Sequence, residues 1–395
     1  MRVLQLGVGA VGEVNARVVA AEPAVAKVVL ADIDESRLRE VAAKLPAGKA
    51  ETLVLDASDR TALVAAAKGV DFVLNALATA WDIPVMEACL DAGRHYLDMG
   101  TGGPREITGT ADLDEQLALD DEFKKRDKAA MVSFGIDPGV SDMFGRALHD
   151  QFDTVDSLTV FDGDNGTIDG YELACSFSVE TMIEECLLPP TVFRDGKEDH
   201  NEALSVFTEF DFPEPVGRLK LCNVDHEEAQ LMPMYLKGKG LKNVDFFIGL
   251  DDRFVAALRV FRILGLNQRE PVEFKGAMIS PIQFVASRFP RPVDLAGKLH
   301  GEVCVGTLCE GTIDGKPLRR YLYQITSHDE SFARWGVQGT GWQTGASAAC
   351  AVTQFARGEI ARRGVFPAEV LDPTAFMAEM NKVGLAVGVM DLPVA

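Results

Sequence analysis

With 395 residues, 47% hydrophobic and 25% charged, the chain has the composition of an ordinary globular protein and the length for two domains with separate cores. Its formal charge of −21, from 39 basic and 60 acidic residues spread along the sequence, argues against nucleic acid or an anionic membrane as partner. No apolar run approaches the length of a membrane span and the N-terminus enters a strand at once, so the expected location is the cytoplasm.

The first element is the apolar run Val3-Leu4-Gln5-Leu6, which flows into Gly7-Val8-Gly9-Ala10-Val11-Gly12 and an alanine-rich helix from Asn15 to Glu22. A second apolar run, Val28 to Ala31, ends on Asp32. Strand, glycine turn, helix and a strand closing on an acid is how a chain builds a dinucleotide site. Gly7 allows the tight turn, Gly9 lets the backbone approach a pyrophosphate, and Gly12 lets the helix pack on the strand. The helix start at Ala10 and Val11 aims free N–H groups at the phosphates. A carboxylate at Asp32 accepts from the ribose hydroxyls and repels a 2′-phosphate, which favours NAD over NADP. Ile33 follows it beside the adenosine, and Arg37 and Arg39 lie within reach of the same loop.

Strand-like runs then alternate with helical ones. Glu51 to Leu55, Asp71 to Leu74, Arg94 to Leu97 and Ala130 to Phe134 read as strands, separated by helices at Ser36 to Lys44, Arg60 to Lys68, Ile83 to Ala92 and Leu113 to Lys128. The expected result is an α/β, doubly wound parallel sheet with ligands at the carboxyl ends of its strands. That rule puts Asp56 and Ala57 near the adenine, Asn75, Ala76 and Leu77 beside the nicotinamide ribose, and Asp98 and Asp137 at the reacting end. A strand-end carboxylate also caps a following helix. Asp98 is followed by the glycine-rich loop of Gly100, Gly102 and Gly103, whereas Asp137 precedes Pro138-Gly139 and a helix running through His149, so for it both readings stand.

After residue 150 the texture changes. Ser157 to Asp162 reads as an exposed strand and Asp162-Gly163-Asp164-Asn165-Gly166 as a turn; Arg253 to Leu264 is helical, and Gly301 to Leu308 and Arg319 to Thr326 form a hairpin through the Gly-Thr-Ile-Asp-Gly turn at 311–315. This describes a second α+β domain on a mixed or antiparallel sheet. An alanine-rich helix, Ala346 to Arg357, is expected to return to the first domain, giving residues 1–152 and 343–395 to dinucleotide binding and 153–342 to substrate. The seven cysteines contain no CxxC pair and read as reduced thiols. His226-Glu227-Glu228 lacks a second histidine at helical spacing, so no metal is expected.

The segments Val70 to Leu77, Pro84 to Asp98, Gly135-Ile136-Asp137-Pro138-Gly139, Asn243 to Leu250 and Thr344 to Ile360 resemble, in order, the saccharopine dehydrogenase (saccharopine reductase) family. The resemblance implies a Rossmann-type domain interrupted by a substrate domain that carries the dimer contact, and an NAD(P)-dependent oxidoreductase that makes or breaks a C–N bond through an imine. Lysine 6-dehydrogenase and carboxynorspermidine dehydrogenase are its relatives on this scaffold. Two departures lie where substrate is read and point away from saccharopine itself: Asp162 to Gly166 replaces a glycine-rich, proline-containing segment, and the loop after Asp98 is unusual.

Hydride transfer at an amine-bearing carbon needs a base and a closed pocket. Asp137 and then Asp98 are the candidates for the base, with His226, Glu228 and Tyr171 as substrate-side residues. A small amino-acid-like or opine-like substrate would need arginines for its carboxylates; Arg253, Arg259, Arg262, Arg288, Arg291 and Arg334 are available. Two other readings are a transferase like homospermidine synthase, keeping its NAD bound, and a non-catalytic dinucleotide sensor. Sugar dehydrogenases with a catalytic Glu-Lys-Pro are disfavoured, because that tripeptide is absent.

Overall fold

The structure, a computed structural model, describes residues 1–102 and 112–394. Gly103, the last glycine of the loop after Asp98, lies outside the described residues. The chain divides into two units: residues 1–102, 112–140 and 341–384 form the first, and residues 141–340 and 385–394 the second.

The first unit is built on a seven-stranded parallel sheet. Its strands β1 (Arg2–Leu6), β2 (Lys27–Asp32), β3 (Ala50–Val54), β4 (Phe72–Asn75), β5 (His95–Leu97) and β6 (Ala129–Met131) are joined by Gly364–Phe366 at the edge, in the order Gly364–Phe366, β6, β5, β4, β1, β2, β3. β1 sits between β2 and β4, so strand order reverses there, which is the switch point where such sheets bind ligands. Local chemistry sets the helices α1 (Ala10–Ala21), α2 (Glu35–Lys44), α3 (Arg60–Lys68) and α4 (Asp82–Ala92). The Asp34 carboxylate caps α2 by accepting from Ser36 and Arg37 N–H, Asp59 caps α3 by accepting from Ala62 N–H, and Gly93 ends α4 at φ +66°.

Three expectations needed revision. The strand expected over Ala130 to Phe134 stops at Met131, because Ser133 turns the chain at φ +60° while its N–H donates to Asp98 Oδ1. The single helix over Leu113 to Lys128 is two, Leu113–Leu117 and Asp120–Lys125. The helix expected from Ala346 begins at Gly339 and packs on α1, where Asn15 Nδ2 donates to the Gly345 carbonyl at 2.7 Å.

The second unit holds a nine-stranded mixed sheet. Its centre is β7 (Thr154–Asp164), which pairs in parallel with Asn243–Gly249 and antiparallel with Glu302–Ile313. Ser157 to Asp162 is therefore a central strand rather than an exposed one, and the expected turn residues Asp162 to Asp164 are still paired, Asp164 with Val303. The long hairpin closes through Asp314-Gly315, both at positive φ, as a two-residue turn requires. The last strand, Val387–Leu392, pairs antiparallel with Lys316–Ser327, so residues 385–394 belong to this unit and not to the first.

Side chains alternate across β7. Phe161 faces an aromatic core of Phe210, Phe212, Phe247 and Tyr321, with the Phe161 and Phe210 rings stacked 4.1 Å apart. Burial of each such ring contributes roughly 1.5–3 kcal/mol. Gly163 is small because Phe212 lies where its side chain would stand. Asp162 and Asp164 project to the opposite face. No helix among the described residues is long and apolar enough to cross a membrane.

Candidate active site

The glycine loop has the shape its spacing predicted. Gly7 holds φ +79°, and a Cβ there would lie 2.8 Å from the Ala76 carbonyl; a Cβ on Gly12 would meet the Gly7 carbonyl at 2.2 Å. Around Gly9, its chain neighbours aside, no atom of the described residues lies within 4 Å of a Cβ position, and α1 begins directly after it with no described side chain capping its first N–H groups. Open space in front of uncapped N–H groups at Ala10, Val11 and Gly12 fits a pyrophosphate. Asp32 accepts from Val8 N–H at 2.9 Å and from Asp34 N–H at 3.0 Å, which locks the glycine loop to the end of β2. Ile33 beside it is 71% exposed, a flat apolar surface for a base.

Neither nearby arginine is uncommitted. Arg37 donates to the Val8 carbonyl and pairs with Glu13 and Glu40, and Arg39 pairs with Glu35. At the end of β4, buried Asn75 donates to Asp82 Oδ1 and the Tyr96 hydroxyl and accepts from Leu77 N–H, which shapes the loop through Ala76 and Leu77. Asp56 is exposed at the end of β3 beside half-buried Ala57, and hydrogen bonds from Ser58 hold its carboxyl below the usual range.

The two candidate bases differ. Asp98 is fully buried, and its oxygens accept from Gln116 Nε2 and Ser133 N–H, both at 2.7 Å. Asp137 is half-buried on the loop after β6, where Gly135 and Gly139 bridge on either side of it.

In the second unit, His226 and Glu228 meet. The His226 Nδ1 is hydrogen-bonded to Glu228 Oε2, Ser141 Oγ donates to Glu228 Oε1 at 2.6 Å, and the imidazole lies flat on Phe246 with ring centroids 3.8 Å apart. Burial alone would lower the proton affinity of His226; Glu228 first, then Glu227 and Glu185, overcome this and raise it well above an ordinary histidine. Glu228 has no exposure, and both its oxygens are engaged, by Ser141 and by the imidazole. His226, Glu227 and Glu228 offer ligand-type atoms within 4.8 Å of one another, but the hydrogen bonds above already use Nδ1 and both Glu228 oxygens.

Beside this group lies a cavity of about 380 Å³ lined by Asp162, Asp164, Glu172, Asp251 and Arg253, together with Tyr171 and Thr340. Of the six arginines considered for substrate carboxylates, Arg253 alone lines it, and its Nε stands 3.4 Å from Asp251. Tyr171 is within hydrogen-bonding distance of Lys298 Nζ at 3.3 Å. Burial, followed by the charges of Asp164 and Glu228, pushes the Asp162 carboxyl up to about 7, with His226 opposing. Burial likewise pushes Glu185 up to about 8. Sequence reasoning did not single out Asp162 and Thr340 in this cavity wall or buried Glu185, although the departure at Asp162 to Gly166 marked the place.

Two family profiles cover nearly the whole chain: the saccharopine dehydrogenase NADP binding domain over residues 3–131 and the saccharopine dehydrogenase C-terminal domain over residues 135–385. The chain belongs to the saccharopine dehydrogenase family. Carboxyaminopropylagmatine dehydrogenase of Synechocystis is 30% identical over 97% of this chain and 96% of its own. Carboxynorspermidine synthase of Vibrio cholerae is 30% identical over 99% and 97%. Among solved structures, apo saccharopine dehydrogenase of Saccharomyces cerevisiae shares the fold at a TM-score of 0.70 and 15% identity, covering 99% of this chain and all of that one. Membership makes the chain an NAD(P)-dependent oxidoreductase acting at an amine-bearing carbon, as the sequence resemblance implied. A bound nicotinamide dinucleotide supplies the two-electron chemistry. The residues that would hold it are those of the open, uncapped helix start at Gly9 and α1 and the Asp32 carboxylate beside them.

Proposed function

We propose that this dehydrogenase makes or breaks the C–N bond of a carboxylated, polyamine-type secondary amine, with NAD preferred over NADP. The observation that carries this reading is the acidic cavity lining: among the described residues it holds four carboxyl groups, Asp162, Asp164, Glu172 and Asp251, and one arginine, Arg253, which already faces Asp251. Such a wall favours an ammonium or guanidinium over the carboxylates of an amino-acid pair. The two relatives at 30% identity bear names built on agmatine and norspermidine skeletons with a carboxyl group, which agrees with that sign.

On this reading Asp137, half-buried on its loop, is the proton acceptor in the first unit, whereas Asp98 is shut away from solvent. His226, kept protonated by Glu228, supplies a proton to the amine nitrogen. The NAD preference rests on the Asp32 carboxylate and on the commitment of Arg37 and Arg39 elsewhere. We place the enzyme in the cytoplasm, where its seven buried thiols stay reduced. It acts as a homodimer through the apolar surface of Asp252–Leu264 and the Val272–Phe274 hairpin.

The test follows NADH oxidation with agmatine or 1,3-diaminopropane and a short carboxyl-bearing aldehyde, against amino acids paired with 2-oxo diacids. Turnover of the cationic amines supports the reading. Turnover of the diacid pairs alone sinks it.

A further inference from the structure

Two polar atoms in the wall of this cavity are shut from solvent and have no hydrogen-bond partner among the described residues: Asp162 Oδ1 and Thr340 Oγ1. Asp164, two residues along the same face of β7, is different. It accepts from Gly166 N–H at 2.6 Å and faces His328 Nε2 at 3.1 Å, so its charge is spoken for. A carboxylate oxygen and a hydroxyl left unpaired at one cavity match a ligand rich in donors and positive in charge, since a buried acceptor without a partner costs free energy until it finds one.

We propose that Asp162 and Thr340 anchor the terminal ammonium or guanidinium of the amine substrate, and that seating this cation drives a proton off Asp162 into solvent. The inference rests on the amine-substrate reading above and deepens it by naming the residues that select the cation. In the exchange the Asp162 carboxylic acid becomes a carboxylate, its proton leaves to water, and the cation takes its place with no covalent change. The groups facing Asp162 set the exchange. Asp164 and Glu228 oppose its ionisation, His226 favours it, and buried Cys304 and Tyr321 feel its charge without supplying a cation. With its carboxyl up near 7, Asp162 holds its proton at mildly acidic pH until a cation arrives. Apolar wall residues such as Leu173, Met182 and Ile248 suit the methylene chain between the charges.

The test is calorimetry of agmatine binding to the full chain with NAD present, in two buffers of different ionisation enthalpy. The wild type should release up to one proton per agmatine below about pH 7, with release fading above it. Asp162→Asn keeps the side-chain shape, should release none, and should raise the amine KM by about a hundredfold or more while leaving the KM for NADH unchanged. Thr340→Val should raise the amine KM roughly tenfold and keep the proton release. Should Asp162→Asn fail to fold, the wild-type release and Thr340→Val decide. An Asp162→Asn enzyme with normal amine KM and proton release overturns the anchor and leaves the amine reading standing. A wild type that neither binds nor turns over any cationic amine overturns both.

Discussion

A Cβ on Gly12 would lie 2.2 Å from the carbonyl oxygen of Gly7, whereas one on Gly9, three residues earlier, would meet none of the described residues within 4 Å beyond its own chain neighbours. The two glycines are therefore needed for different reasons, and substitutions separate them. Gly12→Ala must push α1 off β1, and should lower unfolding free energy by about 1–3 kcal/mol in urea titration, with cofactor binding lost alongside. Gly9 has φ −67°, which alanine adopts, so Gly9→Ala should keep the unfolding midpoint. Its methyl would occupy the space a pyrophosphate needs, and NADH affinity by fluorescence titration should fall at least roughly tenfold.

Asp32 braces the glycine loop through Val8 N–H, and the proposed NAD preference assigns the same carboxylate to the ribose hydroxyls. Asp32→Ser should lower kcat/KM with NADH and shrink the NADH-to-NADPH preference by about tenfold or more. A wild type that prefers NADPH would falsify the assignment of this carboxylate.

The His226–Glu228 pair carries a pH signature. A histidine whose folded-state proton affinity is raised contributes stability that is fully present below its unfolded value, about 6.5, and is lost as pH rises through the higher folded value. Glu228→Gln removes the main raising charge and leaves burial to dominate. The variant should therefore be less stable than wild type by roughly 2–5 kcal/mol near pH 6, with the gap narrowing at alkaline pH. In kinetics the same change should move the pH optimum of kcat to the acid side, because the imidazole then gives up its proton earlier.

Glu185 carries linkage of the same sign. Burial first, then the charges of Glu227, Asp225 and Glu228, raise its carboxyl to about 8 against the help of His226, so the folded state holds a proton that the unfolded chain releases. That stability is present below the ordinary carboxylate range and drains away as pH climbs toward the folded value. Glu185→Gln should be close to neutral at about pH 5 and stabilising by on the order of 1–3 kcal/mol at about pH 9, measured by denaturant unfolding at both.

The first unit was legible because its signals are local. Apolar strands ending on Asp32 and Asn75, and aspartates capping the helices behind them, show themselves within short windows. The break at residues 118–119 also had a local signal that went unread: Asp120-Asp121-Glu122 is an acidic first turn, favourable only at the start of a helix. The acidic cavity had none. Asp162 belongs to a strand because Val305 pairs with it from well over a hundred residues away, and Thr340 reaches the same wall from a distant helix start. Long-range strand pairing decides which carboxylates share a cavity, and no window of sequence contains it.

The hairpin formed by Val272–Phe274 and Ala277–Ile279 pairs with no other strand among the described residues, and an isolated two-stranded hairpin is marginally stable in water. It exposes Val272, Phe274 and Met278, and the helix before it exposes Val260, Ile263 and Leu264 at helical spacing, with Ile263 80% accessible. Six exposed apolar side chains over such a short stretch exceed the scattered residues normal for a monomer surface, which is the ground for the proposed dimer contact. Ile263→Glu combined with Phe274→Glu should convert a dimer to a monomer in sedimentation velocity and lower its melting temperature. A wild type that sediments as a monomer at micromolar concentration would remove the second copy as the cover for this surface.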